Sequence, residues 1–345
     1  MHTEPSAALA PGAVELVVDR FGLTANNVTY AVTGEALSYW KFFPTSEAGW
    51  GRVPVWGFGT VTRSTLAGVS VGERFFGYYP MSSHLVVEPK RLGEVGFLDG
   101  AANRRGLSGV YNQYLRTTHD PLYQADTEPQ QAVLRPLFAT AYFLADFFAE
   151  NMFFGADDVL VSSASSKLAC ATAFVMRQNA GRPVTGLTSA RNTEFVAGLN
   201  LYDRVLCYED VPLLDRGRRA VFVDIAGSAD VRAAVHRHFG EALVHSSAIG
   251  ATHWDRLGHG GDLPGARPIS FFAPDWIKRR TEEWTPQGVQ TRLAGSWGAF
   301  LATTGWLTIR EGEGDDAVAK RYDAIVAGHA HPRDGYVLSL AGDDA

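Results

Sequence analysis

The stretch Asp157–Met176, DDVLVSSASSKLACATAFVM, constrains this chain most, because it reads as a strand, a tight turn and a helix in immediate succession. Val159-Leu160-Val161 is a short apolar run, Ser162–Ser166 is a turn of small residues, and Leu168, Ala171, Ala173, Phe174 and Val175 continue with helical character. A helix start presents unpaired backbone N–H groups and the positive end of the helix dipole, so small residues there let a phosphate approach closely. Lys167 adds a positive charge at the same place. Ser163 and Ser166 stand where a dinucleotide-binding turn carries glycine, and Ala169 stands at its helix-packing position. Without those glycines the turn is expected to avoid strained dihedrals. Two roles stay open for the stretch alone: a pyrophosphate cradle, and an ordinary strand-turn-helix whose serines cap the helix.

The segments that follow continue the alternation. RPVTGLTS, RVLCYED, RAVFVDIAG, ALVHSSAIG and PISFFAP read as strands, and Arg191–Leu199, Ala229–Phe239 and Asp275–Trp284 as helices between or after them. Strands that alternate with helices and carry apolar runs on both faces imply an α/β protein with a doubly wound parallel sheet. After about Ser296 the chain is expected to pass through GWLTIREGEG, a helix Asp316–Gly328 and a last strand Gly335–Leu340.

The first third has a different texture. A loose tail over residues 1–12 leads to a strand at Val14–Asp19, and GEALSYWKFFP, RVPVWGFGTVTRS, VGERFFGYYP and SHLVVEP then alternate β-prone runs with glycine and proline. Short strands at this spacing suggest a small barrel or sandwich. The region is rich in aromatic residues, among them Tyr30, Tyr39, Trp56, Tyr79 and, farther on, Tyr111, and so many rings are expected to line a cleft as well as fill a core. Residues 90–128 read as loop-rich and leave room for a functional loop or lid, and Glu128–Asn151 as a long amphipathic helix with Pro136 in its first turn or starting a second segment.

Composition narrows the class. A formal net charge of −6 gives no reason to expect nucleic acid or a membrane surface as partner. The two cysteines, Cys170 and Cys207, form no metal-binding or disulfide pattern, and no leader or spanning segment is evident, which suits a reducing cytoplasm. His84, His236, His238, His245, His253 and His259 are scattered and read as surface residues.

In order and spacing these pieces resemble the medium-chain dehydrogenase/reductase superfamily, in particular its zinc-free quinone-reductase-like and enoyl-reductase-like members. VLVSSASSKLACATAF looks like their cofactor turn, PLFATAYFLADFF around Thr140 is similar to the helix preceding it, and VFVDIAG and LVHSSAIG look like the later strands beside the nicotinamide. The Cys/His/Glu set and the four-cysteine loop of the zinc enzymes are absent, and NNVTYAVTGEALSYW lacks the proline of the family's Asn-Pro segment, so the branch is a divergent one. The resemblance implies a GroES-like β-barrel substrate domain at residues 1–125 and 305–345 and a Rossmann dinucleotide-binding domain at 126–304, with closure on cofactor. It also implies a homodimer paired around Ile269–Phe272.

The residues then suggest a chemistry. Thr188-Ser189-Ala190-Arg191-Asn192 ends the second strand without the carboxylate that holds the ribose of NAD, and Arg191 suits a bidentate contact to a 2′-phosphate, so NADPH is the expected cofactor. The alternative is that Ser189 merely caps a helix and Arg191 is solvated. Ser163, Ser165, Ser166, Lys167, Ser189, Arg191 and Thr140 are the candidate cofactor residues. The resemblance makes Tyr39 the first-choice proton donor, at the spacing from Asn27 seen in zinc-free enoyl reductases, with Tyr30, Tyr111 and Tyr114 as rivals; Asn27, Tyr30, Trp56, Tyr79 and Tyr111 are candidates for a small-molecule pocket. The expected activity is zinc-independent, NADPH-dependent reduction of an activated C=C or C=O bond, in an α,β-unsaturated carbonyl compound or quinone. A non-catalytic NADPH-binding sensor and an NADP-dependent ketone or alcohol oxidoreductase of the same fold are the rivals.

Overall fold

The structure is a computed structural model that describes residues 8–179, 181–249 and 263–341, so His253 and His259 lie outside the described residues. In chain order the first elements are β1 (Val14–Leu23), α1 (Ala25–Val32), β2 (Pro54–Ser64), β3 (Arg74–Pro80), β4 (His84–Val87), β5 (Pro89–Gly93), β6 (Gly96–Asp99) and β7 (Gln113–Arg116). Then come α2 (Glu128–Glu150), β8 (Asp158–Val161), α3 (Lys167–Asn179), β9 (Val184–Thr188), α4 (Thr193–Gly198), β10 (Arg204–Cys207), β11 (Ala220–Asp224) and α5 (Ala229–Phe239). The last are β12 (Leu243–Ala248), β13 (Pro268–Ser270), α6 (Ala273–Ala302), β14 (Thr308–Glu313), α7 (Gly314–Val326) and β15 (Asp334–Ser339). The chain divides into two compact units, Met1–Pro136 with Leu307–Ala345, and Leu137–Trp306.

In the first unit a nine-stranded sheet among the described residues runs β14-β15-β1-β2-β3-β7-β6-β5, with β4 added to β1. β1 is the hinge of this arrangement: Val14–Val17 pairs with β4 along one edge, while Phe21–Leu23 pairs with β15 along the same edge farther on. The sheet curls, because one core draws Leu16 from β1, Val55 from β2, Tyr79 from β3, Phe97 from β6, Tyr114 from β7 and Leu338 from β15. GEALSYWKFFP, expected to be β-prone, forms no strand. Ahead of it the chain forms α1, where Thr24 N–H donates to Asn27 Oδ1 at 2.7 Å and Thr24 Oγ1 accepts from Asn26 N–H at 3.3 Å, and the segment itself holds only a short 3-10 turn, Tyr39–Lys41. A Thr-x-x-Asn capping box is a quieter signal than Thr-x-x-Glu, and the aromatic residues after it mimic a strand. The stretch 90–128, expected to be loop-rich, also contributes most of β5 and all of β6 and β7.

Pro136 sits inside a single α2 and not at a helix start. Proline has no N–H, so the Ala132 carbonyl one turn back loses its helical donor. β1 passes that carbonyl at Gly22: a Cβ placed there would lie 2.3 Å from Ala132 O and 2.9 Å from Val133 N. Only glycine lets the two backbones approach this closely. α2 is long and apolar enough to cross a membrane by composition, but 61% of its most apolar window is buried in the fold, as a core helix should be.

The second unit is a six-stranded, wholly parallel sheet in the order β10-β9-β8-β11-β12-β13. The strands β9 and β11 are buried at every position, which is why they read as continuous apolar runs. Chain order reverses between β8 and β11, and in doubly wound sheets ligands bind at the carboxyl ends of the strands around that point. The expected helix Asp275–Trp284 is the first limb of α6, which breaks at Thr285 (φ 67°, ψ 157°) because the residue before Pro286 is driven out of the helical region.

Two histidines expected on the surface are buried. His236 is fully buried with Nδ1 3.0 Å from Pro264 O and Nε2 3.1 Å from Ser246 Oγ, and burial lowers its pKa. The His245 ring stacks on Phe154 at 3.9 Å and places Nε2 2.8 Å from Ser247 Oγ, and burial lowers its pKa to about 4. A helical amphipathic count does not see an aromatic cage assembled from α2, the turn after it and β12.

Two outcomes follow. Gly22→Ala should cost about 2–3 kcal/mol of unfolding free energy in urea denaturation, since backbone and not a side chain must yield. For His245 the unfolded chain takes a proton near 6.5 and the folded chain only near 4, so between these values the unfolded state holds more protons and stability falls as pH drops. The loss across that window should approach about 3 kcal/mol, and urea midpoints at pH 6.5, 5.5 and 4.5 should fall less steeply in His245→Phe.

Candidate functional site

In the second unit the turn after β8 is held by hydrogen bonds that leave few of its donors unused. Ser163 N–H donates to Tyr208 Oη at 3.1 Å, Ala164 N–H to Leu187 O at 3.0 Å, and Ser166 N–H to Ser163 O at 2.7 Å. Ser166 Oγ accepts from Ala169 N–H at 3.3 Å and so caps α3. The Ser165 and Leu168 N–H groups find no acceptor among the described residues, and they lie at the positive end of α3 with Lys167 between them in sequence. Ser163 adopts φ 54°, the left-handed region, which overturns the expectation that a turn without glycine avoids strain. The turn keeps the backbone path that glycine usually supplies and holds a serine in it.

The end of β9 lies against this turn: Asn192 Nδ2 donates to Ser165 Oγ at 3.1 Å. Ser189 is half-buried and precedes a short 3-10 turn, Ala190–Asn192, where the sequence suggested a helix from Arg191. Arg191 is exposed, and no carboxylate engages it among the described residues. The donor set matches a dinucleotide phosphate: two backbone N–H groups, Lys167 and serine hydroxyls at one helix start, and a guanidinium with no acidic neighbour at the next strand end. Thr140, half-buried on α2, is placed by its helix and not by this turn.

The first unit gathers a phenol cluster. Tyr39 Oη lies 3.2 Å from Tyr111 Oη, and Trp56 Nε1 donates to Tyr30 Oη at 3.2 Å. The rings of Tyr30, Tyr39, Phe42, Tyr78 and Tyr111 pack at centroid separations from 4.7 to 6.4 Å. Burial raises the pKa of Tyr39, and the Tyr111 hydroxyl pulls it partly back. Burial likewise raises Tyr30, Tyr78 and Tyr111, so the four phenols are neutral hydrogen-bond donors and not anions. Of the candidate pocket residues, Tyr30, Trp56 and Tyr111 join Tyr39 here. Tyr79 does not: it lies on the other face of β3, against Tyr114, with its hydroxyl donating to Phe75 O at 2.9 Å. Asn27 is buried and spends its side chain on Thr24 N–H and on Pro54 O, the latter at 2.8 Å.

A family model described as "Protein of unknown function (DUF2855)" matches residues 21–331. The chain belongs to that family. Comparison of this DUF2855 chain with curated proteins gives no match. Among solved structures it is similar to CurA in complex with NADPH from Vibrio vulnificus, at 11% identity and a TM-score of 0.61, covering 99% of this chain and 94% of that one. It is similar to the quinone oxidoreductase from Coxiella burnetii at 12% identity and a TM-score of 0.56, covering 98% and 93%. The yhdH oxidoreductase from Salmonella enterica in complex with NADP matches at 16% identity and a TM-score of 0.54, covering 99% and 94%. At such identities the likeness is one of fold, and the DUF2855 chain has the two-domain medium-chain dehydrogenase/reductase fold.

Several residues that shape the turn were not legible as site residues. Ser162 Oγ donates to Asp224 Oδ1 at 3.0 Å and accepts from the N–H groups of Ile225 and Ala226, each at 2.9 Å, so the ends of β8 and β11 share one hydroxyl. Arg232 meets Asp224 Oδ2 at 2.8 Å from both Nε and its terminal nitrogen. Tyr208 and Asn192 come from the neighbouring strand ends. None of these has a spacing signature; each becomes visible only when the parallel strands stand side by side. Among the described residues no group of three His, Cys, Asp or Glu side chains converges. Because Ser163 carries its side chain in the left-handed region, Ser163→Gly should raise the unfolding free energy by about 1 kcal/mol, read as a higher urea midpoint at unchanged slope.

Proposed function

We propose that this chain is a zinc-independent, NADPH-dependent reductase of an activated C=C or C=O bond, in an α,β-unsaturated carbonyl compound or a quinone. The observation that carries the reading is Arg191, which no carboxylate engages among the described residues, at a β9 end whose own sequence carries none, beside the helix-start turn Ser163–Lys167. The first carboxylate after β9 is Glu194, exposed on α4. Proteins of the same fold whose structures hold NADPH or NADP support it, as does a quinone oxidoreductase among them.

On this reading the Ser165 and Leu168 N–H groups, Lys167 and the Ser163 and Ser166 hydroxyls hold the pyrophosphate, while Ser189 and Arg191 hold the 2′-phosphate. NADPH, when bound, supplies the hydride. The chain supplies orientation and a proton. Tyr39 gives its proton to the oxygen on which charge develops, and the Tyr111 hydroxyl donates to the phenolate left behind. Burial keeps Tyr39 protonated until that moment. A second copy of the chain is proposed to pair along β13, an edge strand with Ile269 56% exposed and Phe272, just beyond it, 36% exposed.

Fluorescence titration of the purified protein with NADPH and with NADH tests the cofactor assignment. NADPH should bind at least about tenfold more tightly than NADH, and Arg191→Ala should abolish that preference by weakening NADPH alone. Equal binding of both by the native protein, or no binding of either, would remove the reading.

A further inference from the structure

In the phenol cluster of the first unit every side-chain polar group has a partner except one. The Tyr78 hydroxyl is fully buried and finds no hydrogen-bond partner among the described residues. Tyr78 is also the hub of the cluster, with ring centroids of Tyr111 at 4.7 Å, Trp56 at 5.1 Å, Tyr30 and Phe42 at 5.5 Å and Phe43 at 5.7 Å. Folding alone does not account for that oxygen. A buried donor without an acceptor forfeits its hydrogen bonds to water and recovers none, and phenylalanine would fill the same space without the loss. Its neighbour in sequence shows the usual solution, since the equally buried Tyr79 donates to Phe75 O at 2.9 Å. An orphaned polar atom inside a well-packed core is the kind of departure from local optimum that a binding function explains.

We propose that the Tyr78 hydroxyl, with the hydroxyl pair of Tyr39 and Tyr111, forms the site for the oxygen atom of an uncharged, conjugated carbonyl ligand. The donors are neutral phenols. The one cation in the cluster, Arg104, is committed to Asp99 at 3.1 Å and to Tyr111 O and Asn112 Oδ1 at 3.2 Å, so nothing in the site neutralises a carboxylate or phosphate. The walls are aromatic rings set edge-on and tilted, which favour a flat π-system over a saturated chain. Tyr78 and Trp56 are fixed on β3 and β2, whereas Tyr39 and Tyr111 come from the short 3-10 turns Tyr39–Lys41 and Gly109–Asn112. On this proposal the ligand displaces those two turns and meets Tyr78 at the floor.

This deepens the reductase reading by locating its substrate oxygen; it rests on that reading for the reduction and not for the binding. The test is calorimetric titration of the full chain with 4-phenyl-3-buten-2-one, an uncharged conjugated ketone, and with cinnamate, its charged counterpart. Native protein, Tyr78→Phe and Tyr123→Phe are compared, and urea midpoints are taken for all three. Tyr123 is the control because its hydroxyl has a partner, Glu128 Oε1 at 2.8 Å. The native protein should bind the ketone and not cinnamate. Tyr78→Phe should weaken ketone binding at least about tenfold while keeping or raising the urea midpoint, and Tyr123→Phe should lower the midpoint with ketone binding unchanged within about twofold. No ketone binding by native protein, native-like binding by Tyr78→Phe, or a midpoint for Tyr78→Phe that falls as the control's does would each overturn the proposal. Ketone binding that depends on Tyr78, in a protein that binds no NADPH, would leave this site standing and remove the reductase reading; NADPH binding without ketone binding would do the reverse.

Discussion

A carboxylate buried at the end of a central strand is tolerable only when donors surround it, and Asp224 meets that condition at the point where the strand order reverses. Its oxygens accept from Ser162 Oγ, Gly227 N–H and Arg232. The first donor comes from the end of β8, the second from the loop after β11 and the third from α5. The turn that would receive a phosphate and the loop after β11 are thus fixed to each other through one side chain. Replacing water around such a charge demands this many contacts, and the demand is what makes the local geometry unique. The left-handed Ser163, the cap on α3 and the Tyr208 contact are then consequences of where Ser162 is pinned.

Both candidate sites show the chain departing from its own local optimum. Ser163 keeps a glycine's backbone with a side chain attached, and Tyr78 keeps a hydroxyl where none is needed for packing. In the first unit, Arg74 spans Asp19 and Glu128, tying β1, β3 and the first turn of α2 together, and burial that would raise Glu128 is outweighed by that guanidinium.

The doubly wound half was legible because its physics is local and repetitive. Parallel strands covered on both faces are apolar in runs, and amphipathic helices connect most of them, so α5 appears in the sequence with the bounds it has in the structure. The first half was less legible for an equally physical reason. Aromatic residues favour strands, but around Tyr39 they pack as a cluster on irregular backbone, and the Thr24–Asn27 cap that starts α1 is short and polar. Pro136 looked like a boundary because proline removes a donor; it is accommodated because Gly22 leaves room for β1 beside the freed carbonyl of Ala132.

The sequence by itself determined the class of fold, the strand-turn-helix at Ser162–Lys167, the absence of a carboxylate at the end of β9 and the aromatic richness of the first unit, since each depends on residue type and near-neighbour spacing. Only the tertiary structure decided that Tyr78 and not Tyr79 faces the phenol cluster, that Ser162 and Asp224 share a proton contact across 62 positions, and that His236 and His245 are buried. Which face of a strand a side chain takes reverses with every residue, and contacts between distant strand ends exist only once the sheet has formed, so neither can be read along the chain.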